Sequence, residues 1–306
     1  MSEAPAIYHK PVLVHEVIHY LSPQPHKVYV DVTFGGGGHT RAILEAEPTC
    51  SVIAIDWDKR ALEMNGAPLQ EEFPGRLTLL WGNFSLILFL LKKANIQHVD
   101  GILADFGTSQ YQIKESAGFS LYRNTPLDMR MSPAHQKVTA AEIVNKGTEQ
   151  KLLEIFWTYG EERYAKNIVA EIIKKRQQKY IKTTGDLVDV VESTIPNYRP
   201  GKTKTHPATK IFQALRIYVN NELGNITSLL KASMSLLNNE GRLVCISFHS
   251  LEDRLVKQFF KDNTAPYCNP GFELLARDLV KASEEELVQN PSSRSACLRA
   301  ARLIKR

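Results

Sequence analysis

The stretch Lys27 to His39, KVYVDVTFGGGGH, limits the possible folds of this chain more than any other. Val28, Val30 and Val32 alternate with Tyr29 and Asp31, a β-branched run that reads as a buried strand. Gly35 to Gly38 follow at once, and a helical pattern opens at His39 with Thr40, Ala42, Ile43 and Leu44. Strand, glycine turn and helix in that order form the first βα unit of a nucleotide-type binding site. Glycine is needed where the backbone turns through conformations closed to other residues and where a ligand lies against bare main chain.

A second strand, Ser51 to Asp56 (SVIAID), ends in a carboxylate roughly twenty residues after the glycines, where an acid accepts ribose hydroxyls. The third glycine position of a dinucleotide fingerprint holds Thr40, and Asp31 would repel a nearby phosphate. A nucleoside carrying a cation and no phosphate suits these charges, and S-adenosylmethionine is such a ligand. NAD, or a generic glycine turn with Asp56 as a surface acid, are the alternatives.

Arg76 to Trp81 reads as a third strand and Val99 to Asp105 as a fourth, with Asp58 capping a helix toward Glu72 and Asn83 opening one from Phe84 to Asn95. Strands alternating with helices predict a parallel α/β sheet, whose ligands sit outside the carboxyl ends of the strands. Asp31, Asp56 and Asp105 all fall at those ends. The alternation then stops. Helices are expected over Glu149–Tyr159, Glu161–Lys179 and Gly185–Ile195, then from Pro207 to Leu223 and on to Leu237. A strand returns at Arg242 to Phe248. The expected organisation is a discontinuous α/β domain, 1–109 and 211–306, with a helical insert at 110–210.

At 306 residues, 43% hydrophobic and 23% charged, the chain has the composition of a globular protein, and no apolar run approaches membrane-spanning length. The N-terminus lacks a basic-then-apolar signal, and Cys50, Cys245, Cys268 and Cys297 are scattered. Reduced thiols in a cytoplasmic protein are therefore expected, with no membrane association and no metal site. His15 and His19, at helical spacing, read as a helix face. The insert carries 17 Lys and Arg against 11 Asp and Glu, while the whole chain has a net charge of +5, so the basic excess resides there. It concentrates at Lys174, Lys175, Arg176, Lys179 and Lys182 beside Tyr180, and at Arg199, Lys202, Lys204 and His206 beside Tyr198. Cations interleaved with aromatics suit RNA phosphates and bases, and a solvated helix face is the equal alternative.

Several blocks together resemble one family, the bacterial small-subunit rRNA cytosine-N4 methyltransferases of the MraW or RsmH type. They are HKPVLVHEV at 9–17, DVTFGGGGH at 31–39, AIDWD at 54–58, PLDMRM at 126–131, HPATKIFQALRIYVNNEL at 206–223, RLVCISFHSLEDRLVK at 242–257 and NPSSRSACLRAARL at 290–303. The resemblance implies a Rossmann-like class I adenosylmethionine-dependent methyltransferase sheet of about seven strands with an inserted all-helical domain. It also implies methyl transfer to N4 of a decoding-centre cytidine in 16S rRNA of the small ribosomal subunit. By position, the cofactor contacts would be Gly37, Gly38, His39, Asp56, Phe84, Asp105 and Gln112. Where the family reads D-L-G-x-S-S-P-Q, this chain has Asp105 followed by FGTSQYQ, so Ser109 and Gln112 persist while Gln110 and Tyr111 replace serine and proline. Asp105, helped by Ser109, is the candidate acceptor for the N4 hydrogen, with Phe106, Tyr111 or Phe248 stacking on an extruded base and His249 orienting it. Lys174, Lys175, Arg176, Lys202 and Lys204 are the candidate RNA contacts. A ring-carbon methyltransferase would need a cysteine nucleophile at this site, and Cys245 lies inside a strand.

Overall fold

A computed structural model describes residues 10–107, 116–195 and 206–306. The chain divides into two compact units, 1–109 with 223–306, and 110–222. The first is built on one sheet. β1 (Val28–Asp31), β2 (Ser51–Asp56), β3 (Leu77–Trp81), β4 (Val99–Asp105) and β5 (Leu237–Ser247) run parallel, as the sequence pattern predicts for the first four. β6 (Gly271–Leu274), β7 (Val280–Lys281) and β8 (Cys297–Ile304) complete it. The strand order is β3-β2-β1-β4-β5-β8-β6, with β7 also paired to β8. β8 is antiparallel to both β5 and β6. A parallel sheet with one reversed strand near its edge, flanked by helices, is the Rossmann-like methyltransferase architecture that the motifs imply.

Alternation along the strands supplies both faces of the core. Val30, Ile53, Ile55, Ile102, Leu243 and Cys245 face one layer, with Ile87, Leu91, Leu229, Val256 and Phe260 from helices. Tyr29, Val52, Ala54, Leu103, Val244 and Ile246 face the other, with Val17, Leu21, Ile43 and Leu44. The helices begin where side chains satisfy their first amides. Asp58 accepts from the Arg60 amide and Asn83 from that of Ser85. The Asp58 helix is broken by a π-turn over Leu62–Gly66, and the Asn83 helix opens with a 3₁₀ turn.

The second unit has its own core, formed by Leu152, Ile155, Phe156, Ile168, Val169, Ile172, Leu187 and Val191 of the helices Glu149–Thr158, Ala165–Gln178 and Thr184–Thr194. The helix Thr209–Asn220 packs there as well, through Ile211, Phe212, Ala214 and Leu215. The division therefore falls after residue 222 rather than after 210, because the apolar stripe of that helix faces this core. Two of the resembling blocks also meet here. The Met131 amide donates to Asn220 Oδ1, and Asn220 Nδ2 donates to the Met129 carbonyl. Among the described residues no helix is long and apolar enough to cross a membrane.

Candidate active site

β1 lies between β2 and β4, so Asp31, Asp56 and Asp105 end three adjacent parallel strands on one edge of the sheet. Each has a different task. Asp31 is only 1% exposed, and both its oxygens are taken. Oδ1 accepts from the Thr33 amide at 3.1 Å, and Oδ2 from the Thr40 hydroxyl at 2.7 Å. Burial drives its carboxyl above the usual range, and His39 and the two threonines offset part of that. Asp31 organises the glycine turn from beneath. Thr40, where a dinucleotide site would carry glycine, is there to bond Asp31.

Asp56 holds the turn itself. Its Oδ2 accepts from the Gly35 amide and its Oδ1 from the Asp58 amide, both at 2.8 Å. Asn65, on the π-turn, donates to the Gly35 carbonyl at 3.1 Å, so one residue of the turn is clamped from both sides. Each Asp56 oxygen keeps a second lone pair, which leaves it competent to accept a ribose hydroxyl. Desolvation pushes Asp56 up to about 7, with the two amides working against it. Gly37 has φ +76°, and a Cβ there would sit 2.9 Å from the Phe34 ring. The backbone at this point is bare because a side chain has no room.

Asp105 is the least satisfied of the three. Its amide donates to Thr33 Oγ1 at 2.8 Å, and its Oδ2 lies 3.7 Å from His39 Nδ1. Its Oδ1 is buried with no hydrogen-bond partner among the described residues. Burial pushes Asp105 up to about 7; His39 lowers it, while Asp31 and Glu252 raise it. A buried acceptor without a donor costs on the order of 1–3 kcal/mol, which a ligand supplying the donor or a cation recovers. Bare glycine backbone, an acid with spare lone pairs and an orphaned carboxylate oxygen at one strand edge fit a cationic, phosphate-free nucleoside. Phe84 follows the Asn83 cap, half-buried, its ring 6.1 Å from that of Phe106.

The rim past β5 is also resolved. Glu252, 1% exposed, accepts the Phe248 amide at 2.8 Å, and it and Asp253 begin the helix Ser250–Asp262, as expected for acids at a positive helix end. His249 is the residue before that helix and forms a reciprocal capping box with Glu252, its Nε2 lying 3.2 Å from Glu252 Oε1. Gly107 has φ +121°, with the Phe248 ring 3.0 Å from where a Cβ would be.

Some expectations change. Phe106 is 2% exposed and part of the core, so it cannot stack on an extruded base, whereas the half-buried Phe248 can. Arg176 is engaged elsewhere. Its guanidinium donates to the carbonyls of Val144 and Gly147 at 3.0 and 2.7 Å, closing the end of the helix Ala140–Lys146. Its neighbours Lys174 and Lys175 are exposed, and Lys174 also pairs with Glu171. Ser109, Tyr111, Gln112, Tyr198, Arg199, Lys202 and Lys204 lie outside the described residues. Sequence reasoning missed Thr33, Asn65 and the Val12 carbonyl, which accepts from His39 Nε2 at 2.8 Å. Only Thr40 left a trace, as the odd residue in a glycine fingerprint.

The sequence profile of the MraW methylase family matches residues 6–304. The ribosomal RNA small subunit methyltransferase H of Thermotoga neapolitana is 44% identical over 301 residues, covering 97% of each chain. That of Ehrlichia canis is 42% identical over 300 residues, covering 95% of this chain and 98% of its own. The crystal structure of an rRNA methylase from Streptococcus thermophilus aligns with all of this chain and 99% of its own at 9% identity, with a TM-score of 0.45. Matched from end to end, with the glycine turn and strand-end acids in one site, the chain belongs to the MraW methylase family.

Proposed function

We propose that the protein methylates the exocyclic N4 of a decoding-centre cytidine in the 16S rRNA of the small ribosomal subunit, in the cytoplasm, using S-adenosylmethionine. The observation that carries this reading is the orphaned, buried Asp105 Oδ1 beside a glycine turn held by Asp31 and Asp56. S-adenosylmethionine supplies an electrophilic methyl group on a sulfonium. The glycine turn and Asp56 hold and orient the nucleoside, Phe84 backs its base, and Gln112 completes the set by family position. Gly37, Gly38 and His39 offer main chain at the start of the helix Gly38–Ala46.

The N4 lone pair of cytosine is delocalised into the ring and is a weak nucleophile. Asp105, with Ser109 as helper, accepts the N4–H, which localises that pair and stabilises positive charge as it develops. Phe248 stacks on the extruded base and His249 orients it. Lys174, Lys175, Lys202 and Lys204 neutralise RNA phosphates. Carbon methylation through a cysteine adduct finds no nucleophile on β5, since Cys245 is 1% exposed in the core and its thiol is driven well above its usual range by desolvation.

Incubating the protein with small subunits lacking the modification and methyl-labelled S-adenosylmethionine, then mapping the label, tests the reading. Label on N4 of one decoding-centre cytidine is expected, and its loss in Asp105→Asn with cofactor binding retained. Label on another atom or another RNA, or full turnover in Asp105→Asn, overturns it.

A further inference from the structure

We infer that His39 is the terminal proton acceptor of the reaction, receiving through Asp105 the proton that N4 sheds. This rests on the role of Asp105 proposed above. As the nitrogen–carbon bond forms, the carbon–sulfur bond breaks and its electron pair goes to sulfur. N4 must then lose one proton, and the N–H electron pair stays on nitrogen. Asp105 Oδ1, buried and without a donor among the described residues, is placed to take it. A carboxylate that kept the proton would be unable to accept the next one.

His39 is where that proton goes. Its Nε2 lies 2.8 Å from the Val12 carbonyl, which can only accept, so Nε2 carries the hydrogen of the neutral ring. The basic lone pair therefore sits on Nδ1, and Nδ1 faces Asp105 Oδ2 at 3.7 Å, so a proton taken at Oδ1 reaches it when the carboxyl turns about its Cβ–Cγ bond. That separation is longer than a formed hydrogen bond, in keeping with general-base pairs that tighten only when substrate is bound. The ring is 5% exposed, so it and not bulk water takes the proton during methyl transfer, and the proton passes to solvent when product leaves and the site refills with water.

The surrounding charges agree. The groups whose charge acts on Asp105 are His39, Asp31 and Glu252, and of these His39 alone is a base. Asp31 spends its oxygens on Thr33 and Thr40, and Glu252 Oε2 accepts the amides of Phe248 and His249. Asp56 stands beyond Asp31, and His249 lies 3.2 Å from Glu252 Oε1. A proton moved from Asp105 to His39 leaves a carboxylate beside an imidazolium, a pair of opposite charges.

The test is His39→Gln, which retains an amide N–H for the Val12 carbonyl and has no basic nitrogen. With small subunits as substrate, kcat is expected to fall about 100-fold. The dissociation constant for S-adenosylmethionine should stay within about threefold of wild type, and the acid limb of the kcat profile should move to higher pH, since His39 no longer lowers the Asp105 carboxyl. ¹⁵N-histidine spectra of the wild-type protein supply a readout that needs no mutation and no turnover. The Nε2–H tautomer is expected for the neutral ring. A kcat within about threefold of wild type, or an Nδ1–H tautomer, overturns the inference. Asp105→Asn measured alongside separates the two readings. If it is inactive while His39→Gln is not, only the role of His39 fails. If it is fully active, the role of Asp105 fails first.

Discussion

Gly37→Ala provides a quantitative check on why the glycine turn is made of glycine. At φ +76° an alanine pays the left-handed cost of about 1–2 kcal/mol. Its Cβ would also lie 2.9 and 3.0 Å from two atoms of the Phe34 ring and 3.3 Å from Leu69 Cδ2. Phe34 and Leu69 are 3% and 4% exposed, so neither can swing into solvent, and forcing carbon into such a site costs about 1–3 kcal/mol more. The total is about 2–5 kcal/mol. Gly75 is the matched control, because its φ is +72° and nothing lies within 4 Å of its missing Cβ. Gly75→Ala should therefore cost only the conformational part, about 1–2 kcal/mol. For a unit of this size each kcal/mol moves Tm by about 2–4 °C. Thermal unfolding of the two variants and wild type, without cofactor, separates the two contributions. Equal losses in Gly37→Ala and Gly75→Ala would refute the steric argument, leaving backbone conformation as the whole reason for glycine at this position.

The strand-end acids make cofactor-free stability depend on pH. Asp56 and Asp105 have folded values of about 7, above their unfolded range, so the folded protein holds protons that the unfolded chain has lost between about pH 4 and 7. Stability should fall as pH rises through 7. Conversely, Tm should climb between pH 8 and 6.5, each acid contributing somewhat under about 1 kcal/mol. Calorimetry showing a flat or falling Tm over that interval contradicts the burial argument. Arg76 donates to the carbonyls of Leu44, Glu47 and Cys50, tying the helix after the glycine turn to the sheet. Arg76→Ala should cost about 2–4 kcal/mol in denaturant titration, and Arg76→Lys should restore little, since an ammonium cannot reproduce the planar fork. In the helical unit, Lys175→Ala should weaken binding to the small subunit and reduce its salt slope by about 1. Arg176→Ala should instead lower stability by about 2–3 kcal/mol with the salt slope unchanged, because two helix-end carbonyls lose their donor.

The parallel strands were legible because each carries an apolar run, closed in β1, β2 and β4 by a carboxylate, and because short-range capping by Asp58 and Asn83 marks where the helices start. β8 was not legible from its residues. Its apolar positions are interrupted by Arg299 and Arg302, which look like surface charges in the sequence. In the fold they pair with Asp253 and with Glu240 and Glu273 across the sheet. The unit boundary was misplaced for a similar reason. Periodicity identifies an amphipathic helix at 209–220, yet it does not say which of two cores receives the apolar stripe.

The same distinction between local and distant contacts runs through the site. Asp31 with Thr33 and Thr40 is a cluster whose members lie at most nine positions apart, so a fingerprint can carry it. His39 depends on the Val12 carbonyl, and the segment holding Val12 is itself pinned by the other end of the chain. The Leu13 amide donates to Glu286 Oε1 at 2.8 Å, and Asn290 Nδ2 donates to the Lys10 carbonyl at 3.0 Å, contacts 273 and 280 residues apart. Asn290 is 6% exposed. The blocks at the two ends of the chain are therefore one piece of structure, and its effect at the site is to aim a single carbonyl at His39. That carbonyl sets which nitrogen of the ring is basic, so the proton transfer proposed at the end of β4 depends on residues from both ends of the chain.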